Sequence, residues 1–155
     1  MVDIVDKATR SRMMSGIRSQ HTKPERTIRS GLHKLGFRFS LHNRKLRGTP
    51  DLVLSKYGAV IFVHGCFWHG HNCSLFKMPG TRTEFWKTKF ARNKEADDIA
   101  RTTLLKEGWR VLTIWECALR GKPEKEVAAL IIRSGRWIIS SRRSLEIREP
   151  RRKVS

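Results

Sequence analysis

Apolar residues recur at helical spacing near the start of the chain. Ile28, Leu32 and Leu35 follow one another at intervals of four and three residues, which places them on one face of an α-helix. Thr22 precedes them as an N-cap, and Glu25 occupies the capping-box position three residues after it. A glycine directly after Leu35 ends the pattern. The sequence therefore predicts a helix in this segment, with Glu25 near its buried face.

Two further helices are predicted in the second half of the chain. Thr81-Arg82-Thr83-Glu84 has the form of another capping box, and a long helix is expected from about Phe85 to Lys106. The first half of that helix is basic, and its second half supplies apolar side chains to the core. Pro123 starts a closing helix, whose apolar face carries Val127, Leu130 and Ile131.

Short apolar runs between these helices predict four strands. Residues 37–41 alternate between apolar and polar, which is typical of a half-exposed strand. Asp51–Leu54 and Ala59–Val63 predict a hairpin closed at Tyr57-Gly58, and Trp109–Glu116 suits a central position. Strands that alternate with helices indicate an α/β fold with a central mixed sheet flanked by helices.

The charge of the chain narrows its class of partner. Its 155 residues include 33 Lys and Arg against 14 Asp and Glu, a formal charge of +19. A charge of that size on a small domain is expected where the partner is a polyanion. No apolar run approaches the roughly 20 residues that span a bilayer, and no secretory signal pattern is present. We therefore expect a cytoplasmic protein that binds nucleic acid and no membrane.

Changes in composition divide the chain into three parts. Residues 1–20 are basic and weakly periodic, typical either of a partly disordered terminus or of an arm that folds onto DNA. Residues 21–139 are predicted to form a single domain. Residues 140–155 are rich in arginine and are expected to be a disordered basic tail.

The stretch His64–Cys73 concentrates the chemistry of the chain. It holds three of the six histidines and two of the three cysteines, directly after a predicted strand. An odd number of cysteines beside histidines favours metal over a disulfide. The ligands of a closed structural zinc site are available as a Cys₃His set, namely Cys66, His71, Cys73 and Cys117. The alternatives are a zinc-stapled loop with no further role, or three unrelated reduced cysteines.

The remaining polar residues suit phosphodiester hydrolysis. Asp51, held rigid by Pro50, offers the hard oxygen ligand that Mg²⁺ prefers, and a main-chain carbonyl at a strand end offers a second. An imidazole generally titrates near neutral pH, so either His69 or His64 can act as the base. Glu25 is either a member of this set or only a capping carboxylate. A Pro-Asp hairpin beside a second strand's polar end matches the layout of the restriction-endonuclease-like nuclease core.

Longer motifs run through residues 6–121. They are Asp6-Lys7-Ala8-Thr9-Arg10-Ser11, Gly48-Thr49-Pro50-Asp51, Val60-Ile61-Phe62-Val63-His64-Gly65-Cys66-Phe67-Trp68-His69, Thr81-Arg82-Thr83-Glu84-Phe85-Trp86, Gly108-Trp109-Arg110-Val111-Leu112 and Trp115-Glu116-Cys117-Ala118-Leu119-Arg120-Gly121. Together they resemble the very-short-patch (Vsr) DNA mismatch repair endonuclease family. The resemblance implies a restriction-endonuclease-like fold with a structural zinc. It also implies Mg²⁺-dependent nicking of one strand 5′ to the thymine of a T·G mismatch left by deaminated 5-methylcytosine.

The resemblance also implies roles for individual residues. Asp51 and the main-chain carbonyl of Val63 would bind Mg²⁺, His69 would be the general base, and His64 and Glu25 would support the phosphate and the metal-bound waters. An intercalating wedge and further DNA contacts would come from Phe67, Trp68, Trp86, Met14, Lys87 and Lys89. A nucleoid-associated bacterial monomer, working with mismatch-repair proteins and a cognate cytosine methyltransferase, is the implied setting.

One position departs from the family, and two other functions compete. Residue 63 is Val where the family usually has Thr; a carbonyl ligand tolerates the change, whereas a hydroxyl ligand would be lost. A restriction-type enzyme that cuts both strands would have no use for a Phe67-Trp68 wedge. A zinc-stabilised DNA-binding protein without catalysis would have no use for Asp51 beside two histidines.

Overall fold

The structure, a computed structural model, describes residues 21–150. Within this range the helices are α1 (Lys23–Lys34), α2 (Thr83–Lys106) and α3 (Glu124–Ile138). The strands are β1 (Ser40–Leu41), β2 (Leu52–Leu54), β3 (Ala59–His64), β4 (Arg110–Trp115) and β5 (Ser144–Ile147). Short 3₁₀ turns, Ser55–Tyr57 and Glu116–Ala118, follow β2 and β4. The predicted N-terminal arm with Met14 lies outside the described residues, as do residues 151–155.

The five strands form one mixed sheet in the order β1-β2-β3-β4-β5. The first three strands pair antiparallel, and β3, β4 and β5 pair parallel. Val53 stands opposite Val60 in the hairpin, and Ile61 stands opposite Leu112 across the parallel pair. The predicted α/β fold with a central mixed sheet is therefore confirmed.

Helices cover both faces of the sheet. Leu52 and Ile61 point to the face covered by α1 and α3, in a core that includes Ile28 and Trp137. The alternate positions, such as Val60, point to α2 and its Leu104 on the other face. This two-residue alternation is what a strand buried on both sides requires. Among the described residues, no helix combines the length and apolarity needed to cross a membrane.

The start of α1 follows the prediction closely. Thr22 is the N-cap, and its hydroxyl accepts a hydrogen bond from the Glu25 N–H at 3.4 Å. The Glu25 carboxylate returns to the His21 N–H at 3.1 Å, one residue before the N-cap. Glu25 is buried, with 1% of its surface exposed. The capping role is therefore real, but it uses only one lone pair of a buried carboxylate.

Two predicted boundaries were wrong for local reasons. Strand pairing starts at Ser40 and not at residue 37, because the Phe37 N–H closes the end of α1 by donating to Leu32 O at 3.1 Å. The second capping box does not form. Its helix begins at Thr83 after Arg82, whose left-handed backbone (φ 56°) provides no side-chain cap.

The predicted disordered tail was wrong over residues 144–147, which form β5. Leu145 and Ile147 pack against the core, and the strand pairs parallel with Val111–Ile114. The alternation of apolar and polar side chains needed to predict this strand is present, but it is short and surrounded by arginines. The ordered domain therefore extends beyond residue 139.

Candidate active site and metal centre

An open cleft of about 1190 Å³ lies where the start of α1, the residues before β2, the end of β3 and the middle of α2 meet. The sequence-predicted residues that line it are Glu25, Asp51, Val63, His64, Phe67, Trp68 and His69. Basic side chains at its edges are Lys23, Arg26, Arg44 and Arg120. The antiparallel pairing of β2 with β3 brings the Pro-Asp turn and the His64–His69 segment to the same place.

Asp51 is fixed by the hairpin and is partly desolvated. Its Oδ2 accepts a hydrogen bond from the Val63 N–H at 2.7 Å, and 19% of its side chain is exposed. Burial, with a further contribution from the nearby Glu25 carboxylate, raises the pKa of Asp51 to about 7. Two carboxylates held together in a partly dry cleft favour a proton or a cation between them.

Glu25 belongs to a hydrogen-bond network that could be predicted only in part from the sequence. His42 Nε2 lies 2.8 Å from Glu25 Oε1 and 3.9 Å from Asp51 Oδ1, so this imidazole hydrogen-bonds to Glu25 and lies close to Asp51. Arg29 donates to Glu25 Oε2 at 3.0 Å and contacts His21 Nδ1 at 2.8 Å. The guanidinium supplies the positive charge that a buried carboxylate needs. His42 comes from an irregular loop, and no pattern in the sequence singled it out.

The two histidines meet a carboxylate that the sequence analysis missed. Asp97 Oδ2 accepts a short hydrogen bond from His69 Nδ1, and its Oδ1 lies 3.8 Å from His64 Nε2. The His64 and His69 rings stack with centroids 4.1 Å apart. Burial, with a contribution from His69, lowers the pKa of His64 well below its usual range, so His64 is neutral near pH 7.

Asp97 could have been found from helical spacing. Phe90, Asn93, Asp97, Ala100 and Leu104 follow one another at intervals of three and four along α2. Phe90, Ala100 and Leu104 of this stripe are buried against the rest of the protein. Burying a carboxylate on this stripe costs free energy unless a hydrogen-bonding or charged partner is present. Such a carboxylate is therefore a candidate for a functional site.

The predicted Cys₃His set is brought together. One ligand atom from each of Cys66, His71, Cys73 and Cys117 lies within 4.8 Å of the others. The cysteines are not paired in disulfides. Cys117 Sγ lies 3.6 Å from His71 Nδ1, and the Cys117 N–H donates to Cys66 Sγ at 3.3 Å.

This cluster has the properties of a metal site. Burial raises the pKa of the Cys66 and Cys117 thiols, so the metal-free cluster keeps its protons, whereas a bound cation favours thiolates. The buried His71 Nε2 has no hydrogen-bond partner in the described part of the chain, and the ring stacks on Trp115 at 3.8 Å. The donor set, its burial and its closeness fit a metal ion that coordinates sulfur and nitrogen.

The predicted wedge residues form part of an aromatic cluster. Phe67 lies against Trp68 and Trp86 at centroid distances of 5.0 and 5.4 Å, and Trp86 stacks on the buried Phe90. Asn93 donates to Trp68 O at 2.6 Å and so fixes the backbone of this loop on α2. Of the three predicted wedge residues, Phe67 and Trp68 line the cleft, whereas Trp86 contacts both rings without lining it. Lys87 is exposed and Lys89 half-buried, and neither lines the cleft.

A mixed sheet whose Pro-Asp hairpin ends beside a His–Asp pair, in a basic cleft, has the groups that a nuclease needs. A sequence model of the family described as DNA mismatch endonuclease Vsr matches residues 2–75. The chain is 47% identical to the DNA mismatch endonuclease Vsr of Escherichia coli (strain K12), over 95% of this chain and 94% of that protein.

Two type II nicking enzymes are also similar. V.XorIIP of Xanthomonas oryzae pv. oryzae is 43% identical over 77% of this chain and 88% of its own length. V.NmeAIP of Neisseria meningitidis is 43% identical over 79% of this chain and 87% of its own. The chain therefore belongs to the Vsr family of DNA mismatch endonucleases, and it is a hydrolase that cuts DNA.

Proposed function

We propose that this enzyme nicks one strand of duplex DNA 5′ to the thymine of a T·G mismatch, of the kind that deamination of 5-methylcytosine leaves, and that the reaction requires Mg²⁺. The observation that most directly supports the proposal is that Asp51 and the His64–His69–Asp97 group line the same basic cleft. Membership of a mismatch endonuclease family supports it. Cleavage at this position starts the removal of a short patch of DNA.

Asp51 is the residue of the cleft best suited to hold the catalytic cation. Its carboxylate is fixed by the Val63 N–H, and the main chain of Val63 is thereby kept beside it. Mg²⁺ bound there would offset the charge that develops on the scissile phosphate and lower the pKa of bound water. Glu25, held by His42 and Arg29, is positioned to accept hydrogen bonds from such water.

His69 is the candidate general base. Its Nδ1–H is directed at Asp97, which leaves Nε2 as the acceptor for the proton of the attacking water. The Asp97 carboxylate stabilises the imidazolium that forms. The neutral, stacked His64 holds the His69 ring in place and can donate or accept a hydrogen bond at the phosphate. A ring oriented by a carboxylate is the arrangement that general-base catalysis needs.

The Cys₃His cluster would hold a structural Zn²⁺. Four protein ligands leave no open position for substrate, which is the distinction between structural and catalytic zinc. The cluster joins the loop after β3 to the turn after β4, and His69 lies on that same loop. A bound zinc ion would therefore stabilise the fold and would also hold the general base in position.

DNA binding and mismatch recognition would use different residues. The formal charge of +19 and the basic edges of the cleft attract any duplex, because phosphate contacts carry no sequence information. Phe67 and Trp68 are the predicted wedge residues that line the cleft. A ring inserted between base pairs costs a few kcal/mol of unstacking, and a mismatched pair lowers that cost.

Replacement of Trp68 by Ala should weaken discrimination more than binding. We expect its preference for a T·G duplex over a matched one to fall by at least about tenfold, roughly 1.4 kcal/mol. Competition binding at fixed salt measures it. The control is Phe85→Ala, which removes a ring that is 45% exposed and does not line the cleft. An unchanged preference in Trp68→Ala would show that the ring only packs.

Asp97→Asn should slow nicking by about 100-fold or more, because it weakens a general base without removing it. Binding of DNA should stay near the wild-type level. Asp98→Asn, at an exposed neighbouring carboxylate that pairs with Arg101, is the matched control. Nicking by Asp97→Asn at the rate of Asp98→Asn would remove Asp97 from the mechanism.

Cation binding at Asp51 should depend on pH. The pKa of Asp51 is raised from 3.8 to about 7, so below that pH a cation must displace a proton. Calorimetry should find an Mg²⁺ affinity that falls by about tenfold per pH unit below pH 7 and is flat above it. In the Mg²⁺-free protein the folded state binds this proton more tightly than the unfolded state. Protonation of Asp51 therefore contributes stability that is fully present below about pH 3.8 and is lost as the pH rises through about 7. An affinity independent of pH over this range would contradict the assignment.

The reaction class can be tested with supercoiled plasmids that carry one T·G or one C·G pair at the same position. The enzyme should convert only the T·G plasmid, and only to the nicked circle, with Mg²⁺ present. In the control reaction Mg²⁺ is omitted or replaced with Ca²⁺. No chelator is added, because a chelator would also extract a structural metal. Linear product would favour a restriction-type enzyme, and binding without any cut would favour a non-catalytic protein.

A further inference from the structure

The segment that follows β5 forms hydrogen bonds with the loop that carries metal-site ligands. Arg148 Nη2 donates to Asn72 O at 2.6 Å. The carboxylate of Glu149 accepts two hydrogen bonds from Ser74, from its N–H at 2.6 Å and from its hydroxyl at 2.7 Å. Asn72 and Ser74 flank Cys73, so both residues adjacent to that ligand are held from the same side.

The same segment reaches a second ligand directly. The Glu149 N–H donates to Cys117 Sγ at 3.4 Å, and Cys117 in turn donates its own N–H to Cys66 Sγ at 3.3 Å. A sulfur that accepts a main-chain N–H is stabilised as thiolate, the form in which cysteine binds metal. Two of the four cluster positions, Cys73 and Cys117, are therefore flanked or touched by contacts that begin at residues 148 and 149.

The position of this segment is set by the sheet. Parallel pairing places Ile147 opposite Ile114, so the chain beyond β5 runs out at the same edge as Cys117. Ile147 is 3% exposed and anchors the strand. The loop between β3 and α2 has no helix or strand of its own in residues 65–82. It depends on contacts from elsewhere to hold its shape.

We propose that Arg148 and Glu149 form a clasp that positions the metal-binding loop, so that retention of the metal depends on these two residues. The proposal rests on the proposed zinc site. Residues that orient metal ligands from behind typically contribute 10- to 100-fold in metal affinity. The clasp also limits the movement of His69, which lies on the same loop. Arg148 and Glu149 are positioning residues, since they lie outside the cleft.

The rate of zinc release tests the clasp. Zinc content of the full-length wild type is measured first, and the bound metal is then transferred to a chromogenic chelator in excess. Glu149→Ala should release zinc at least about tenfold faster than the wild type, with an unchanged far-ultraviolet circular dichroism spectrum. Glu146→Ala is the matched control, because it removes the same charge from an exposed position of β5. A release rate for Glu149→Ala within about twofold of the control would overturn the proposal.

A second variant covers the case in which Glu149→Ala does not fold. Ser74→Ala removes one hydroxyl donor and keeps the main-chain donor, so it should accelerate release by a few fold. Where Glu149→Ala folds, the effects of the two changes on the release rate should be less than additive in the double variant, because both changes break the same contact. Release from Ser74→Ala at the wild-type rate, or full additivity, would contradict the clasp. A wild type without bound metal would refute the zinc site itself, which separates that failure from a failure of the clasp alone.

Discussion

Asp51→Asn is expected to abolish nicking while binding of mismatched DNA stays near normal. The amide oxygen can still accept the Val63 N–H, so the turn keeps its shape, but the charge that would hold the cation is lost. Metal catalysis of this kind is worth several kcal/mol, and a loss of about 4 kcal/mol slows the reaction by about 1,000-fold. Single-turnover nicking with saturating enzyme measures the chemical step directly.

Two controls make the Asp51 result decisive. Asp98→Asn carries the same substitution at an exposed carboxylate and should nick at the wild-type rate. Raising Mg²⁺ should not restore Asp51→Asn, because the ligand itself is missing. Nicking by Asp51→Asn at the rate of Asp98→Asn would remove Asp51 from the mechanism.

Cys117→Ser is expected to unfold the protein, or nearly so, and to reduce its zinc content. Serine is similar in size and can still accept the Glu149 N–H, so the change mainly removes a thiolate ligand. Loss of one of four ligands withdraws folding energy that a structural zinc contributes. Thermal unfolding and elemental analysis are the measurements. Ala118→Ser, which places a hydroxyl in the same 3₁₀ turn, is the control. A Cys117→Ser variant that holds metal and melts with the wild type would contradict the structural role.

Local patterns predicted most of the fold. The start of α1 depends on Thr22, Pro24 and Glu25, which lie within four residues of sequence, and the β2–β3 hairpin joins adjacent apolar runs. The Cys₃His set could be predicted because cysteine is rare in this chain and three ligands share one loop. Such local patterns can be recognised in the sequence without knowledge of the tertiary structure.

Features that depend on distant contacts could not be predicted in the same way. β5 is only four residues long and becomes a strand because β4 offers an open edge. His42 enters the site only when its loop meets α1, and Asp97 only when α2 packs across the end of β3. Asp97 did carry a signal, its place on the buried stripe of α2. The basic residues around it masked that stripe.

Mapping of the cut at nucleotide resolution tests the central claim most directly. Duplexes with one T·G pair, and matched controls, are labelled on either strand, and the products are run beside a sequencing ladder. The proposed function predicts a single break immediately 5′ to the mismatched thymine, with the guanine strand and the matched duplex intact. A break in the guanine strand, in both strands, or at equal rate in the matched duplex would contradict it.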